Sequence, residues 1–350
     1  MVGQFEFPQL DEACLTTKVP ELYCKLAMVD PTSPAHQKAF AGLIQVVNDL
    51  EHKRSSKVFC LIHNGGGHIC EPSMLWPVIK DRKQFRGGKK NLDLLIHSGG
   101  GDAGAAYRLI TFLRGRYEQI NALVPLQAKS AATLMCLGAD SILMGEFAHL
   151  GPVDIQIADP LHRGADYFSP LDEFKAMEFL RDYAVELVDF FTGLFLERSG
   201  MGVKEALHEA VPCITGLLRP LYGQIDPIEM GEHRRLLAIG EQYATRLLDM
   251  VNNQNRGAIV EKLVWKYASH DFAINRAEAK ALHLPVEPMD AKQEDQLLNV
   301  LTEFREYELS YCGFIPALRL PKSRQVSRKK PPKSMSTAKQ RQAAAATAAA

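Results

Sequence analysis

The sequence predicts an α/β protein, with parallel strands covered by helices on both faces and a helical region following on the C-terminal side. Two observations carry that prediction. Short apolar, β-rich runs at 58–63, 92–97, 120–125 and 141–144 alternate with helical stretches, the pattern of a parallel sheet buried on both faces. Beyond Pro160 the apolar spacing changes to a period of 3.6, that of helices packing through one stripe.

Taken in order, residues 1–55 contain Pro8, Pro20, Pro31 and Pro34 and then a helix expected over 36–52, and they read as an N-terminal extension. The strand–helix alternation occupies about 58–157. Ser169, Pro170 and Asp172 combine a capping residue, a proline for the first helical position and an acid three residues after the cap, which together mark a helix start. Phe174, Met177, Leu180, Ala184, Leu187 and Phe191 then follow at three- and four-residue steps, giving one apolar face that runs to about Gly200. Further helices are expected over 229–250, 257–267, 276–282 and 291–305. The last stretch, 322–350, mixes Lys, Arg, Pro, Ser and Gln before an alanine-rich end; it has too few apolar residues to bury a core and is expected to be disordered.

Composition narrows the function. The chain has 350 residues, 46% of them hydrophobic, enough for a sizeable core. Its formal charge is zero, but eight Lys or Arg and no acid lie from Lys322 onward, leaving 33 basic against 41 acidic residues before it. A body near −8 offers no footprint for nucleic acid, so only the tail could bind one. The seven cysteines are widely spaced and never form Cys-x-x-Cys, which argues against a disulfide framework or a zinc ribbon and fits a reducing compartment. The first thirty residues lack the basic start and apolar run of a signal peptide, and no stretch has the length of a membrane helix; a cytoplasmic protein that does not enter membranes is expected.

Two strands end in nearly the same phrase, His63-Asn64-Gly65-Gly66-Gly67-His68 and His97-Ser98-Gly99-Gly100-Gly101-Asp102. The second runs into Ala103-Gly104-Ala105-Ala106, a helix start of small residues. Successive amides in such a turn can hold an anion, including the oxyanion of acyl transfer. Some thirty residues later Val124-Pro125-Leu126-Gln127-Ala128-Lys129-Ser130-Ala131-Ala132 brings a strand through a bend to a serine at the mouth of a helix. On the residues alone two readings of Ser130 stand side by side, a nucleophile above the strand ends or a plain helix cap.

The order of phrases goes further. The strings 96–101 and 128–131, then Ala139-Asp140-Ser141-Ile142-Leu143-Met144 and Leu150-Gly151-Pro152-Val153-Asp154, resemble the Clp protease and signal-peptide-peptidase superfamily. With Tyr267-Ala268-Ser269-His270-Asp271-Phe272 and the residues to Leu284, they are similar to the serine dehydrogenase proteinases within it. The resemblance implies a Clp/crotonase-like spiral core with a helical C-terminal extension, a peptidase domain over 56–310, and hydrolysis of a peptide or unfolded protein without a cofactor. It implies Ser130 as nucleophile, His270 as general base, Asp154 as the acid that orients it, and the amides of Gly100, Gly101 and Ala131 as the oxyanion hole. Relatives of this shape assemble into rings or stacks, so a homo-oligomer is expected. A Clp-like order would instead use His149 with Asp271, and a signal-peptide-peptidase-like pair would use Lys175. Ala132, Ile155 and His283 stand where the pattern has glycine, proline and glycine.

Other motifs yield less. His63 and His68, with only Cys70 and Glu71 nearby, read as a solvated turn and call for no metal. Neither a P-loop nor a dinucleotide fingerprint is present. The reading to set against an active peptidase is a catalytically inactive scaffold of the same fold whose basic tail binds nucleic acid.

Overall fold

The computed structural model describes residues 33–64, 90–158 and 167–314, and structural statements concern those residues. In chain order they form α1 (Pro34–Arg54), β1 (Lys57–Ile62), β2 (Asn91–His97), α2 (Ala103–Arg114), β3 (Gln119–Val124), β4 (Gln127–Ala128), α3 (Ala131–Leu137), β5 (Ser141–Met144), β6 (His149–Leu150), β7 (Ile157–Ala158) and β8 (Tyr167–Phe168). The helical region follows with α4 (Leu171–Ser199), α5 (Val203–Tyr222), α6 (Pro227–Met250) and α7 (Arg256–Glu261), which continues as a π-helical turn (Lys262–Lys266). Then come β9 (Ile274–Asn275), α8 (Arg276–Ala281), β10 (Val286–Pro288), α9 (Ala291–Glu306) and β11 (Tyr311–Phe314).

Six strands make the main sheet in the order β10-β5-β3-β2-β1-β11, all parallel except β11, which runs antiparallel to β1. Side chains along a strand alternate between faces, so each strand feeds two cores. Phe59, Leu61, Leu94, Ile96, Ala122 and Val124 pack toward α2, α3 and α6. Val58, Cys60, Ile62, Leu95, Leu123 and Leu143 pack toward α1 and α9. This is the doubly covered parallel sheet expected from the apolar runs. Helix α1, placed by the sequence in an N-terminal extension, covers one face of it: Ala39, Phe40, Leu43, Val46, Val47 and Leu50 are buried. The rest of that extension, residues 1–32, and the basic tail lie outside the described residues.

One polar cluster is built into the α1 side. Asp93 on β2 is fully buried, and four donors satisfy it: Arg54 Nε at 2.5 Å and Nη2 at 3.2 Å, Ser56 Oγ at 2.6 Å and Asn121 Nδ2 at 2.8 Å. A buried carboxylate is tolerable only when its lone pairs are filled in this way.

A second, three-stranded sheet, β4-β6-β9, positions the candidate site. Gln127 and Ala128 pair parallel with His149 and Leu150, which pair antiparallel with Asn275 and Ile274. The bend before Ser130, the loop leading to Asp154 and the segment carrying His270 are thereby tied to one small ladder, although they are far apart in the chain. On the other side α4 and α5 fold against each other through Leu187, Val188, Phe191, Ala210, Ile214 and Leu218. Helix α5 was absent from the sequence reading because Pro212 and Pro220 lie inside it and proline ordinarily ends a helix.

Candidate active site

Ser130 occupies the N-cap position of α3 but does not cap it: its side chain makes no hydrogen bond to the helix amides, and its backbone sits at φ 50°, ψ −120°. Left-handed φ is costly for any residue with a Cβ and persists only where its surroundings impose it. The strand-end turn does so. Ser98 exchanges backbone hydrogen bonds with both flanks of the bend, Ser98 N to Gln127 O at 3.1 Å and Lys129 N to Ser98 O at 3.0 Å. Gly100, at φ +116°, is then pressed against the serine: a Cβ there would lie 2.7 Å from Ser130 Cβ and 3.3 Å from its Oγ. Only glycine allows so close an approach.

Of the three expected oxyanion donors, Gly100 is already engaged, its N–H donating to Ser98 Oγ at 2.9 Å. Ala131 begins α3, so its N–H has no acceptor within the helix. Gly101 follows directly in the same turn. Thr133, one turn into α3, ties the helix to the next loop: its hydroxyl lies 2.7 Å from Ala128 O and 2.9 Å from Gly151 O, and it accepts from Gly151 N at 3.1 Å.

Three residues beyond Gly151 stands Asp154, 4% exposed. Its Oδ1 lies 2.8 Å from His270 Nδ1, and its Oδ2 accepts a hydrogen bond from Ser169 Oγ at 2.9 Å. Both carboxylate oxygens are thus occupied and the ring orientation of His270 is fixed. Because Nδ1 faces the carboxylate, Nε2 is the nitrogen left to handle a proton. Among the described residues no hydrogen bond joins Ser130 Oγ to an imidazole. Such catalytic hydrogen bonds are often long without substrate and tighten only when it binds. Neighbours of the two residues do meet, Lys129 Nζ lying 3.1 Å from Asp271 Oδ1 and holding that carboxyl below the usual range.

The other candidate bases are occupied differently. His149 is half-buried on β6, and burial, with Lys129 nearby, lowers its pKa. Lys175 donates to the carbonyl of Tyr267 at 2.5 Å, a positioning bond for the segment that leads to His270. Ser98, Thr133 and Ser169 were not singled out from sequence for these contacts. A serine two residues before a glycine amide is a readable turn signal, whereas Thr133 and Ser169 reach partners that only the fold supplies.

A parallel, doubly covered sheet, with a strained serine at a helix entrance opposite a glycine turn and a helical C-terminal region, makes this a mixed α/β fold. Residues 20–162 match the family described as ClpP-like SDH-type serine proteinase, and the resemblance carried by the motifs is borne out over that stretch. It contains Gly100, Gly101, Ser130, Ala131 and Asp154 and ends before His270. Two uncharacterized proteins of Methanocaldococcus jannaschii are similar. One is 34% identical over 122 residues, 33% of this chain and 43% of the relative; the other is 27% identical over 122 residues, 33% and 42%. The chain therefore spans less than half the length of these curated relatives. A solved structure, a mutant of the 1510-N membrane-bound stomatin-specific protease, is 13% identical over 38% of this chain and 57% of that one, with a TM-score of 0.22, too slight a likeness to carry an argument. Among the described residues no helix is long and apolar enough to cross a membrane.

Proposed function

We propose that the chain is a serine peptidase that acts on peptides or unfolded protein through an acyl-enzyme on Ser130. The observation that carries this reading is the Asp154–His270 pair, closed at 2.8 Å between residues 116 positions apart and buried at the carboxylate. Ser130 Oγ attacks the carbonyl carbon and passes its proton to His270 Nε2, while Asp154 stabilises the imidazolium. The tetrahedral oxyanion is held by the amides of Ala131 and Gly101; Gly100 contributes close approach, its own N–H being spent on Ser98. Collapse breaks the carbon–nitrogen bond, and the departing amine takes the proton from Nε2. A water then attacks the ester, gives its proton to Nε2, and releases the acid as Ser130 recovers its hydrogen. The domain over 56–310, a cytoplasmic location and a homo-oligomer belong to the same proposal.

One observation favours the inactive scaffold instead: the open Ser130–imidazole arm. A fluorescent serine-directed phosphonate separates the two. The peptidase takes one label per chain, mapped by mass spectrometry to the peptide containing Ser130 and lost in Ser130→Ala. Absence of label, or a label on another peptide, overturns the assignment.

A further inference from the structure

A second cluster with the chemistry of a site lies at the root of the α4–α5 hairpin, and none of its three residues belongs to the set used above. Glu173 is in the first turn of α4, Glu229 in the first turn of α6, and His233 one turn further along α6. The spacing of four puts Glu229 and His233 on one helix face, and the hairpin root brings Glu173 to it from the neighbouring helix. One ligand atom from each of the three lies within 4.8 Å of the others, and His233 Nδ1 is 2.7 Å from Glu173 Oε2. His233 is 5% exposed, and its ring packs edge-on against Phe168. Glu229 is exposed and Glu173 half-buried.

Beside the cluster is a cavity of about 350 Å³ lined by Glu173 and Glu229 together with Met177, Leu221, Ile225 and Asp226. Asp226 is spent as the cap of α6, accepting from Ile228 N at 2.8 Å. The two glutamates thus bring carboxylates to a largely apolar chamber, with one buried imidazole behind them.

We propose that Glu173, Glu229 and His233 bind a divalent transition-metal ion, with its remaining coordination positions open to this cavity. One imidazole nitrogen and two carboxylates make a borderline donor set of the kind zinc accepts, and three protein ligands leave at least one position for water or another ligand. A tetrahedral ion with bonds of about 2.0–2.1 Å holds its ligand atoms about 3.3 Å apart. The observed spacings, 2.7 Å between His233 Nδ1 and Glu173 Oε2 and no more than 4.8 Å overall, bracket that figure, so small side-chain rotations suffice. The neutral ring coordinates through Nδ1 and keeps its proton on Nε2. The sequence showed nothing of this, because two of the ligands lie one helical turn apart and the third lies 56 residues before the nearer of them in a different helix.

The rival account is a buried histidine bonded to one glutamate, with Glu229 an unrelated surface acid. Chelator-stripped full chain is titrated with Zn²⁺ by calorimetry, the bound metal is counted by elemental analysis, and the melting temperature is followed with and without the ion. Cys213→Ser serves as background, because Cys213 is an exposed thiol that could bind zinc adventitiously. The proposal expects one Zn²⁺ per chain, a melting temperature raised by the ion, and a loss of affinity of roughly tenfold or more in Glu229→Gln. Glu229→Gln leaves the Glu173–His233 hydrogen bond in place, so its metal-free melting temperature should match the background protein. Glu173→Gln, whose amide oxygen can still accept from Nδ1, should lose affinity likewise. No stoichiometric binding, or binding that neither substitution weakens, overturns the proposal.

Discussion

Of the five non-glycine residues with positive φ among the described residues, Ser130 and His283 hold it for opposite reasons. At Ser130 the strain sits where a hydroxyl must stand clear of its own helix, pressed on Gly100. At His283, φ 61°, the side chain is exposed at the end of α8, and only backbone groups are engaged: its N–H donates to Lys280 O at 2.9 Å and its carbonyl accepts from Asn253 Nδ2 at 3.3 Å. Glycine removes the Cβ penalty and keeps both bonds. His283→Gly is therefore expected to stabilise the fold by about 1 kcal/mol, read from the urea midpoint at unchanged slope, with phosphonate labelling unaltered. Ser130→Gly should stabilise similarly while labelling disappears; a Ser130→Gly protein no more stable than wild type would mean that its backbone is not strained. The motif pattern already hinted at position 283, where it has glycine and this chain has histidine. The same ordered phrases named Ser130, Asp154 and His270, of which the fold brings Asp154 and His270 into contact and sets Ser130 against Gly100. The hydroxyls of Thr133 and Ser169 were not legible: α4 begins at Leu171 with Pro170 at its N-cap, not Ser169, and nothing local distinguishes a serine that accepts from the first amide of α4 from one that also orients a carboxylate fifteen residues earlier.

Between elements, one buried polar joint fastens the end of α1 to the middle of the sheet. Arg54 binds Asp93 through two nitrogens, and Asp93 is wholly buried, so losing the guanidinium leaves a carboxylate with only Ser56 and Asn121 as donors. Breaking one side of a buried pair typically costs about 3–5 kcal/mol. Arg54→Ala should lower stability to chemical denaturation by that order, whereas Lys38→Ala, which breaks a solvent-exposed pair with Glu303, should change it by about 1 kcal/mol or less. Equal effects would show that α1 is not anchored through this cluster. The elements that were readable in advance carry their own signal: β1, β2, β3 and β5 are apolar runs, and α4, α6 and α9 repeat at helical spacing. Those that were not readable depend on partners. Strands β4, β6 and β9 have two residues each and exist only as rungs of a shared ladder, and β11 pairs at the edge beside β1 across the whole intervening chain. Helix α5 keeps its two prolines because packing against α4 outweighs the local break.

At the scale of the whole molecule, α4 alone is 29 residues, ~43 Å at 1.5 Å per residue, and with α5 it exposes Phe179, Phe190, Val203, Leu217 and other large apolar side chains. In the proposed homo-oligomer these exposed apolar side chains are where a second copy would be expected to pack. Light scattering should show an oligomer that Phe190→Asp with Val211→Asp dissociates; a monomeric wild type refutes the assignment. Acid stability tests a different global property, because one group couples the sheet to pH. His97 ends β2, is 5% exposed, and lies with Nε2 3.0 Å from Asn64 Oδ1, while Asn64 Nδ2 donates to Leu309 O at 3.0 Å. With its amide nitrogen committed there, Asn64 presents an oxygen to the ring, so Nε2 carries the hydrogen and Nδ1 is left buried without a partner. Burial, with His63 and Arg305 adding to it, pushes its pKa down to about 4 from the ordinary 6.5. The folded pKa is the lower one, so the unfolded chain takes up a proton first as pH falls. Stability is therefore flat with respect to this group above about pH 6.5, declines between 6.5 and about 4, and changes no further below that, a total of about 3 kcal/mol. His149, also lowered by burial, acts in the same direction. Denaturation curves collected from pH 7 to 4 should show a smaller loss for His97→Gln, whose amide can still donate to Asn64, than for wild type. Carboxylates common to both proteins cancel in that difference, so identical losses would mean that His97 is not held neutral in the fold.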